Sequence, residues 1–176
     1  MSELLSHFVY DTPRPLQEDF LLEVAKALSD GYEVIVGIAP TAAGKEPIAL
    51  TPANWSANAR YIVPTNVLVD QIRHTHPSVN ALKGVATYEC TEQKYRDRCS
   101  PNPSNRCKGC PYSADNAKFN RSRVGLTNYH MYAMKLMQDR RKRNSRTGAR
   151  LLLVVDEAHN LLPFLRDQHS SYLWKH

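Results

Sequence analysis

The chain has 176 residues, of which 42% are hydrophobic and 23% charged, and its formal net charge is +6. This length suits one ordinary domain with a small insertion, not two full domains. No apolar run approaches the ~18 residues that a membrane helix needs, and the N-terminus lacks the basic start and apolar core of a secretory signal. We therefore expect a cytoplasmic protein with no membrane partner. The positive charge favours a polyanionic partner, although a solvated basic face is the simpler explanation of each charged run.

The first predicted elements surround a distinctive loop. Apolar side chains recur at helical spacing over 16–28, which predicts a helix with one buried face. The run EVIVGI at 33–38 is rich in β-branched residues and is typical of a buried strand in a parallel sheet. The loop APTAAGKEP follows at 39–47, and its Pro47 fits only the first turn of a helix.

Further along the chain, strands alternate with helices. Short apolar runs predict strands at 61–63, 124–126 and 151–155, and helices are predicted at 67–73 and 129–139. This alternation indicates an open α/β sheet that binds its ligand at the carboxyl ends of the strands. Between about 81 and 122 the pattern breaks down, and this segment holds all the cysteines and much of the basic charge. A bound metal could hold so long an irregular loop in place.

The cysteines fall within 21 residues. They are Cys90, Cys99, Cys107 and Cys110. A reducing cytoplasm disfavours disulfides, and four thiolates suit either tetrahedral zinc or a [4Fe-4S] cluster. The spacing does not separate these metals, and free thiols are a third alternative.

Two segments at predicted strand ends carry candidate chemistry. The pattern A-x-x-x-x-G-K, ending at Gly44 and Lys45, is typical of a loop that cradles phosphates with its backbone and its lysine. Its alternative is a small-residue turn with a surface lysine. Asp156 and Glu157 follow the last strand, where one acid can hold magnesium and its neighbour can activate water. Their alternative is a pair of acids that begin a helix. Together the two segments favour a nucleotide-binding lineage.

At the level of motifs, the chain resembles the XPD/DinG-like iron-sulfur DNA helicases of superfamily 2, which carry a DEAH box. The matching segments are RPLQ at 14–17, IAPTAAGK at 38–45, IVPTNVLVDQ at 62–71, LKGVATYEC at 82–90, CKGCPYSADNAK at 107–118, LTNYHMYAM at 126–134 and VVDEAHNLL at 154–162. The resemblance implies a RecA-like P-loop motor lobe, formed by 1–80 and 123–176, with a four-cysteine iron-sulfur insertion at 81–122.

The resemblance also implies ATP, magnesium and a [4Fe-4S] cluster as cofactors, with zinc as the alternative to the cluster, and single-stranded DNA as partner. The nucleotide would be bound by Arg14, Gln17, Thr41, Gly44, Lys45 and Glu46. Magnesium, water activation and coupling to DNA would fall to Asp156, Glu157 and His159. DNA would contact Pro64, Thr65 and Asn66. Lys94, Tyr95 and Arg96 belong to a basic stretch interleaved with aromatic rings, a composition that suits base stacking; the alternative, which we prefer for Tyr88 and Tyr112, is packing around the cysteines.

Two departures from the family limit the expected activity. Glu46 replaces the serine or threonine that would ligate magnesium, and its charge would repel phosphates a few ångströms away. We therefore expect weak ATP binding. The family's second motor lobe is not among these 176 residues, so we expect negligible ATPase activity from this chain by itself, with another polypeptide as a possible source of that lobe. The two functional hypotheses are a helicase motor lobe and a helicase-derived module that binds nucleic acid or protein without turnover.

Overall fold

The computed structural model describes residues 3–40, 43–90, 107–141 and 151–173, the ends of two helices (139–141 and 169–173) by their backbone only. The described residues form an α/β fold in which helices flank a four-stranded sheet. Within these ranges, no helix combines the length and the apolar character needed to cross a membrane. The elements are α1 (Pro15–Ser29), α2 (Lys45–Trp55), β1 (Ala59–Val63), α3 (Asn66–Thr75), β2 (Asn80–Leu82), α4 (Pro111–Arg121), β3 (Val124–Asn128), α5 (Tyr129–Arg141), β4 (Leu152–Val155) and α6 (Leu161–Leu173).

The four described strands form one parallel sheet in the order β2-β3-β1-β4. β1 is internal, with Ala59 opposite Val124 of β3 and Leu152 of β4. Parallel neighbours need crossover connections, and α3 and α5 lie in such connections. Because all four strands run the same way, their carboxyl ends meet at one edge of the sheet.

The hydrophobic core lies on β1 and β3. Every residue of β1 except Arg60 is buried, and helices α2 and α3 contribute the apolar side chains that cover the strands. The cluster consists of Leu50, Ala53, Ala59, Tyr61, Val63, Val69, Ile72, Val79, Ala81, Val124 and Leu126. A smaller cluster joins the N-terminal residues and α1 to α2 through Leu4, Leu21 and Ile48. Each fully buried aliphatic side chain stabilises the fold by about 1.5–3 kcal/mol relative to exposure.

Most sequence-predicted elements are confirmed. The predicted helices at 16–28, 67–73 and 129–139 correspond to α1, α3 and α5. The predicted strands at 61–63, 124–126 and 151–155 correspond to β1, β3 and β4. Pro47 lies in the first turn of α2, as its missing N–H requires. The α/β class and the parallel sheet therefore follow from the sequence pattern.

The strand predicted at 33–38 is wrong. These residues form no regular element, and they pair with no described strand. Val34, Val36 and Ile38 are 80%, 79% and 93% exposed. The segment does touch α1, because a Cβ added at Gly37 would lie only 2.1 Å from the ring of Phe20. A β-branched composition favours a strand only where a neighbouring strand and a packed face are supplied.

The segment predicted to be irregular, 81–122, is partly regular. It contains the end of β2 and the whole of α4, which begins at Pro111 directly after the last cysteine. Tyr112 and Phe119 of α4 are buried, and Phe119 lies against Gly125 of β3. A helix was not expected because few apolar residues mark this stretch. Residues 91–106 lie outside the described part of the chain.

Candidate phosphate site at the edge of the sheet

The loop APTAAGKEP leads directly into α2. Gly44 precedes the helix with a left-handed φ of 72°, a conformation that favours glycine. Lys45 and Glu46 lie in the first turn of α2, where backbone N–H groups lack intrahelical partners and the helix dipole favours anions. This end of the helix is therefore suited to bind an anionic group. Thr41 lies outside the described residues.

Gln17, near the start of α1, forms hydrogen bonds with the end of this loop. Its buried Nε2 donates hydrogen bonds to the carbonyl oxygens of Ala43, at 2.8 Å, and Gly44, at 3.3 Å. Its Oε1 accepts a hydrogen bond from the backbone N–H of Arg14 at 3.0 Å. A Cβ at Gly44 would lie 2.6 Å from Nε2. The glycine is therefore required both for its backbone conformation and for the close approach of Gln17.

Asp156 and Glu157 form a turn at the carboxyl end of β4. The N–H of Asp156 donates to the carbonyl oxygen of Ile62 at 2.9 Å, which extends the pairing with β1 by one residue. Asp156 Oδ1 accepts from the N–H of Glu157 at 2.9 Å. Glu157 has φ 49° and ψ 46°, and no other described non-glycine residue has a positive φ. Such strain costs about 1–2 kcal/mol and is found preferentially at functional sites.

Two tyrosine hydroxyls donate hydrogen bonds to this turn. The hydroxyl of Tyr61 donates to Asp156 Oδ2 at 3.1 Å, and the hydroxyl of Tyr129 donates to the carbonyl oxygens of Asp156 and Glu157. Burial, followed by the charge of Asp156, raises the pKa of Tyr61 far above its usual value, and Glu46 and Glu157 raise it further. Burial and the same two acids of the turn raise the pKa of Tyr129 to about 12. Both hydroxyls therefore remain hydrogen-bond donors at neutral pH.

Burial also raises the pKa of the Asp156 carboxyl above its usual value. The charge of Glu157 acts in the same direction. The hydrogen bonds donated by Tyr61 and by the Glu157 backbone, together with the charge of Lys45, act against this rise. The carboxylate is thus half-buried among donors, an environment in which a cation would favour its charged form.

Lys45 and Glu157 connect the loop to the turn. Lys45 Nζ lies 3.4 Å from Glu157 Oε1, although the residues are 112 positions apart. Both side chains are about one-third exposed, at 36% and 34%. His159 Nδ1 lies 3.4 Å from the other oxygen of Glu157, and its side chain is 72% exposed. The structure therefore brings Lys45 of one predicted segment together with Glu157 and His159 of another.

Glu46, the next residue of α2, pairs with His76. Its Oε1 lies 2.7 Å from His76 Nε2, and the imidazole side chain is only 10% exposed. The ring of Tyr10 packs on the imidazole, with centroids 5.6 Å apart. The charge of Glu46, which the sequence placed at the phosphates, is therefore matched by a neighbouring hydrogen-bond donor.

The residues predicted to contact DNA lie at the same sheet edge, after β1. Thr65 caps α3 by accepting a hydrogen bond from the N–H of Leu68 at 3.3 Å, and it is exposed. Asn66 Oδ1 accepts a hydrogen bond from Asn128 Nδ2 at 2.6 Å. Asn128 is the last residue of β3 and lies at the same edge of the sheet. Pro64 is half-buried. Lys94, Tyr95 and Arg96 lie outside the described residues.

Cys107 and Cys110 lie together on the turn that starts α4. The N–H of Cys110 donates to the carbonyl oxygen of Cys107 at 3.3 Å, and Cys110 is buried. Both pack in a cluster with Leu82, Tyr112, Phe119 and Met131. Cys90 is half-buried and Cys99 lies outside the described part. Among the described residues, no three potential metal ligands form a group that could hold one ion.

The rings of Tyr88 and Tyr112 pack against each other edge to face, with centroids 5.5 Å apart. Tyr112 is buried and Tyr88 is half-buried within the same cysteine-containing cluster. These two rings therefore pack in the hydrophobic cluster that contains Cys107 and Cys110. Packing near the cysteines is the role that we preferred for them over base stacking.

Sequence reasoning missed three residues of the site: Tyr61, His76 and Tyr129. Tyr61 reads as an ordinary core residue of β1, and His76 follows α3 without any motif. Tyr129 does carry a signal, since it comes directly after the end of β3, at the same edge as Asp156. A polar aromatic residue at a strand end is thus the feature that could have indicated it.

The arrangement combines an amine, a helix N-terminus and two carboxylates at the carboxyl edge of a parallel sheet. Such an edge is where open α/β sheets bind their ligands. The amine and the helix end attract anions, and the carboxylates attract cations, so the site suits an anion that arrives with a divalent cation. Comparison of the chain with protein-family models, curated proteins and solved structures gave no match.

Proposed function

We propose that the chain is a RecA-like motor lobe of the XPD/DinG-like DNA helicase type, which binds ATP with magnesium between the N-terminus of α2 and the turn after β4. The observation that supports this proposal most strongly is the 3.4 Å contact between Lys45 Nζ and Glu157 Oε1. It joins the phosphate-loop motif to the acidic motif across 112 residues of sequence. Chance matches to two separate motifs would have no reason to meet in space.

Each residue has a role that follows from its position. Lys45 would exchange its weak contact with Glu157 for a phosphate oxygen, which is feasible because both side chains are partly exposed. Asp156 would ligate magnesium, and the released Glu157 would orient the attacking water. Gln17 holds the backbone of the loop in place through its two bonds to the carbonyls. The roles of Arg14 and Gln17 at the adenine, of Thr41 at the phosphates and of His159 in coupling remain proposals from the resemblance.

Single-stranded DNA would cross the edge of the sheet at residues 64–66, close to the turn after β4. Thr65 is exposed there, and its neighbour Asn66 is linked to Asn128 by a short hydrogen bond. The basic residues of 91–106, together with the +6 net charge, would track the phosphates.

Nucleotide titration by calorimetry tests the proposal. With magnesium present, the wild-type chain should bind ATP, and Lys45→Ala should weaken binding at least tenfold, since the lysine contributes a direct charge-assisted contact. Lys26→Ala is the matched control, because Lys26 lies on α1 in an exposed pair with Asp30 and should leave binding unchanged. Equal ATP affinity in the wild type and in Lys45→Ala would contradict the proposal.

We further propose that the four cysteines hold a [4Fe-4S] cluster, with zinc as the alternative. Cys107 and Cys110 lie on one turn beside Tyr88 and Tyr112, a half-buried environment that would shield a metal centre from water. Anaerobically purified protein should contain iron and show a broad absorption band at about 400 nm. A colourless protein that contains zinc would favour the alternative, and one that contains neither metal would contradict both.

A second candidate function is a helicase-derived module that binds nucleic acid or a second polypeptide without turnover. Glu46 favours it, since its side chain pairs with His76 and offers no hydroxyl for magnesium. Binding to single-stranded DNA, measured with and without ATP over a range of salt concentrations, separates the two functions. A motor lobe should bind DNA with a nucleotide-dependent affinity, whereas a binding module should show a salt slope that nucleotide does not alter.

A further inference from the structure

The contact between Glu46 and His76 lies next to the phosphate loop but belongs to no motif. Glu46 follows Lys45 directly in the first turn of α2, and its Oε1 lies 2.7 Å from His76 Nε2. This distance is that of a short, charge-assisted hydrogen bond, with the imidazole N–H donating to the carboxylate. An acid in the first turn of a helix is favourable for the helix itself, but next to a phosphate site it would oppose the binding of an anion.

His76 is held firmly in place by its surroundings. Its backbone N–H donates to the carbonyl oxygen of Ile72 at 2.8 Å and ends α3, and its own carbonyl oxygen accepts from Val79 at 3.0 Å. The ring of Tyr10 covers the imidazole at 5.6 Å, with the tyrosine hydroxyl 3.5 Å from Nε2. The imidazole, at 10% exposed, is therefore the more enclosed partner, and the Glu46 carboxylate, at 30% exposed, is the more accessible one.

The position of Glu46 matters because it lies among other negative groups. Its charge acts on the hydroxyl of Tyr61, which itself bonds to Asp156, so Glu46 is within electrostatic reach of the turn after β4. Lys45 is engaged by Glu157 on the other side. Without a partner, the carboxylate of Glu46 could turn toward Lys45 and compete with phosphate for it.

We infer that His76 is a positioning residue for the phosphate site: it holds the Glu46 carboxylate away from Lys45 and leaves the first turn of α2 open to an anion. The inference rests on the proposed binding of a nucleotide at Lys45. It changes the expectation from sequence, because the repulsion by Glu46 is offset as long as His76 holds it. The phosphate site then extends to the residue that follows α3 and to Tyr10 of the N-terminal segment.

Two substitutions at His76 separate hydrogen bonding from packing. His76→Phe keeps a ring against Tyr10 but removes the donor, while His76→Gln keeps an N–H donor but removes the ring. ATP titrated with magnesium should bind about tenfold more weakly to His76→Phe and within about threefold of the wild type to His76→Gln. The opposite order would show that His76 acts by packing and would overturn the inference.

A double variant tests whether the effect passes through Glu46. Glu46→Gln removes the carboxylate and sets the reference affinity for this comparison, because no charge is left for His76 to restrain. His76→Phe/Glu46→Gln should bind like Glu46→Gln, because no carboxylate remains to compete for Lys45. A loss that persists in the double variant would overturn the inference, since His76 would then act on something other than Glu46.

Lys45→Ala distinguishes failure of the inference from failure of the proposed function. Binding that depends on Lys45 but not on His76 would overturn the inference alone. ATP binding that Lys45→Ala leaves unchanged in every background would overturn both. Thermal unfolding of each variant ensures that folded protein is compared, and His76→Ala, which also removes the donor, replaces His76→Phe if that variant folds poorly.

Discussion

Two apolar runs of similar composition differ in structure and in burial in this molecule. The run ARYIV forms β1, the internal strand of the sheet, and is buried on both faces except at Arg60. The run EVIVGI at 33–38 pairs with no described strand, and most of its side chains face solvent. The difference is one of neighbours: β1 lies between β3 and β4 and packs against α2 and α3, whereas the second run has no described strand beside it. Strand propensity is therefore expressed only where pairing partners exist.

The largest effect should come from the same substitution made in each run. Ile62 of β1 is 2% exposed and Ile38 is 93% exposed. Ile62→Ala should lower the free energy of unfolding by about 3 kcal/mol through lost burial and a cavity, and Ile38→Ala should change it by no more than ~0.5 kcal/mol. Urea denaturation measures both. Equal losses would mean that 33–38 is packed in solution and would remove the contrast.

The glycines that bracket the exposed run provide the next test. Gly31 and Gly44 both have a left-handed φ, 84° and 72°, but only Gly44 lies against Gln17. Gly31→Ala should cost about 1 kcal/mol of unfolding free energy from backbone strain, and Gly44→Ala about 2 kcal/mol, since Gln17 must also move. Thermal unfolding resolves this difference. If the two variants are equally stable, the loop is not fastened by Gln17.

Charge added to the exposed run should alter association more than stability. Val34 and Val36 present adjacent apolar side chains to solvent, and an open apolar segment of this kind promotes self-association. Val34→Lys/Val36→Lys should reduce the apparent mass measured by light scattering at high protein concentration and leave the unfolding free energy within ~0.5 kcal/mol. A clear loss of stability would instead show that these valines are buried by a partner.

The smallest effect tests burial at the cysteine-containing cluster. Burial, with a contribution from Asp115, raises the pKa of Tyr88 to about 12. The folded state therefore keeps its proton where the unfolded chain loses it, so this residue's stabilising contribution is complete below about pH 10 and is lost as the pH rises through 12. Tyr88→Phe should flatten the fall of unfolding free energy over that range. A slope identical to that of the wild type would exclude Tyr88 as its source.

The sequence predicts the fold well where a local pattern coincides with a tertiary need. β1, β3 and β4 were found because their apolar runs pack against neighbours, fully in β1 and β3 and partly in β4. The three-residue β2 carries too little pattern to be recognised, and α4 has only two buried side chains to mark its face. The prediction of a strand at 33–38 was wrong because composition does not reveal whether a pairing partner is present.

The candidate site shows the same division. Sequence could predict Lys45, Asp156 and Glu157, because each lies within a short motif next to a regular element. The pairing of Glu46 with His76 could not, since it joins the first turn of α2 to the residue after α3, and a lone histidine there has no distinguishing pattern. Side chains that act through long-range contacts leave little trace in local sequence.

The order of strands in the sheet bears on how the chain is made. β1 precedes the other described strands in the chain, yet the strands on either side of it begin only at Val124 and Leu152. At a synthesis rate of about 5–20 residues per second, β1 waits roughly 5–20 s for β4. For most of that interval its apolar residues lack a described pairing partner, since β3 also begins only at Val124, and such long-range parallel pairing folds slowly. The apolar residues of β1 are therefore open to association with other chains until β3 and β4 have emerged.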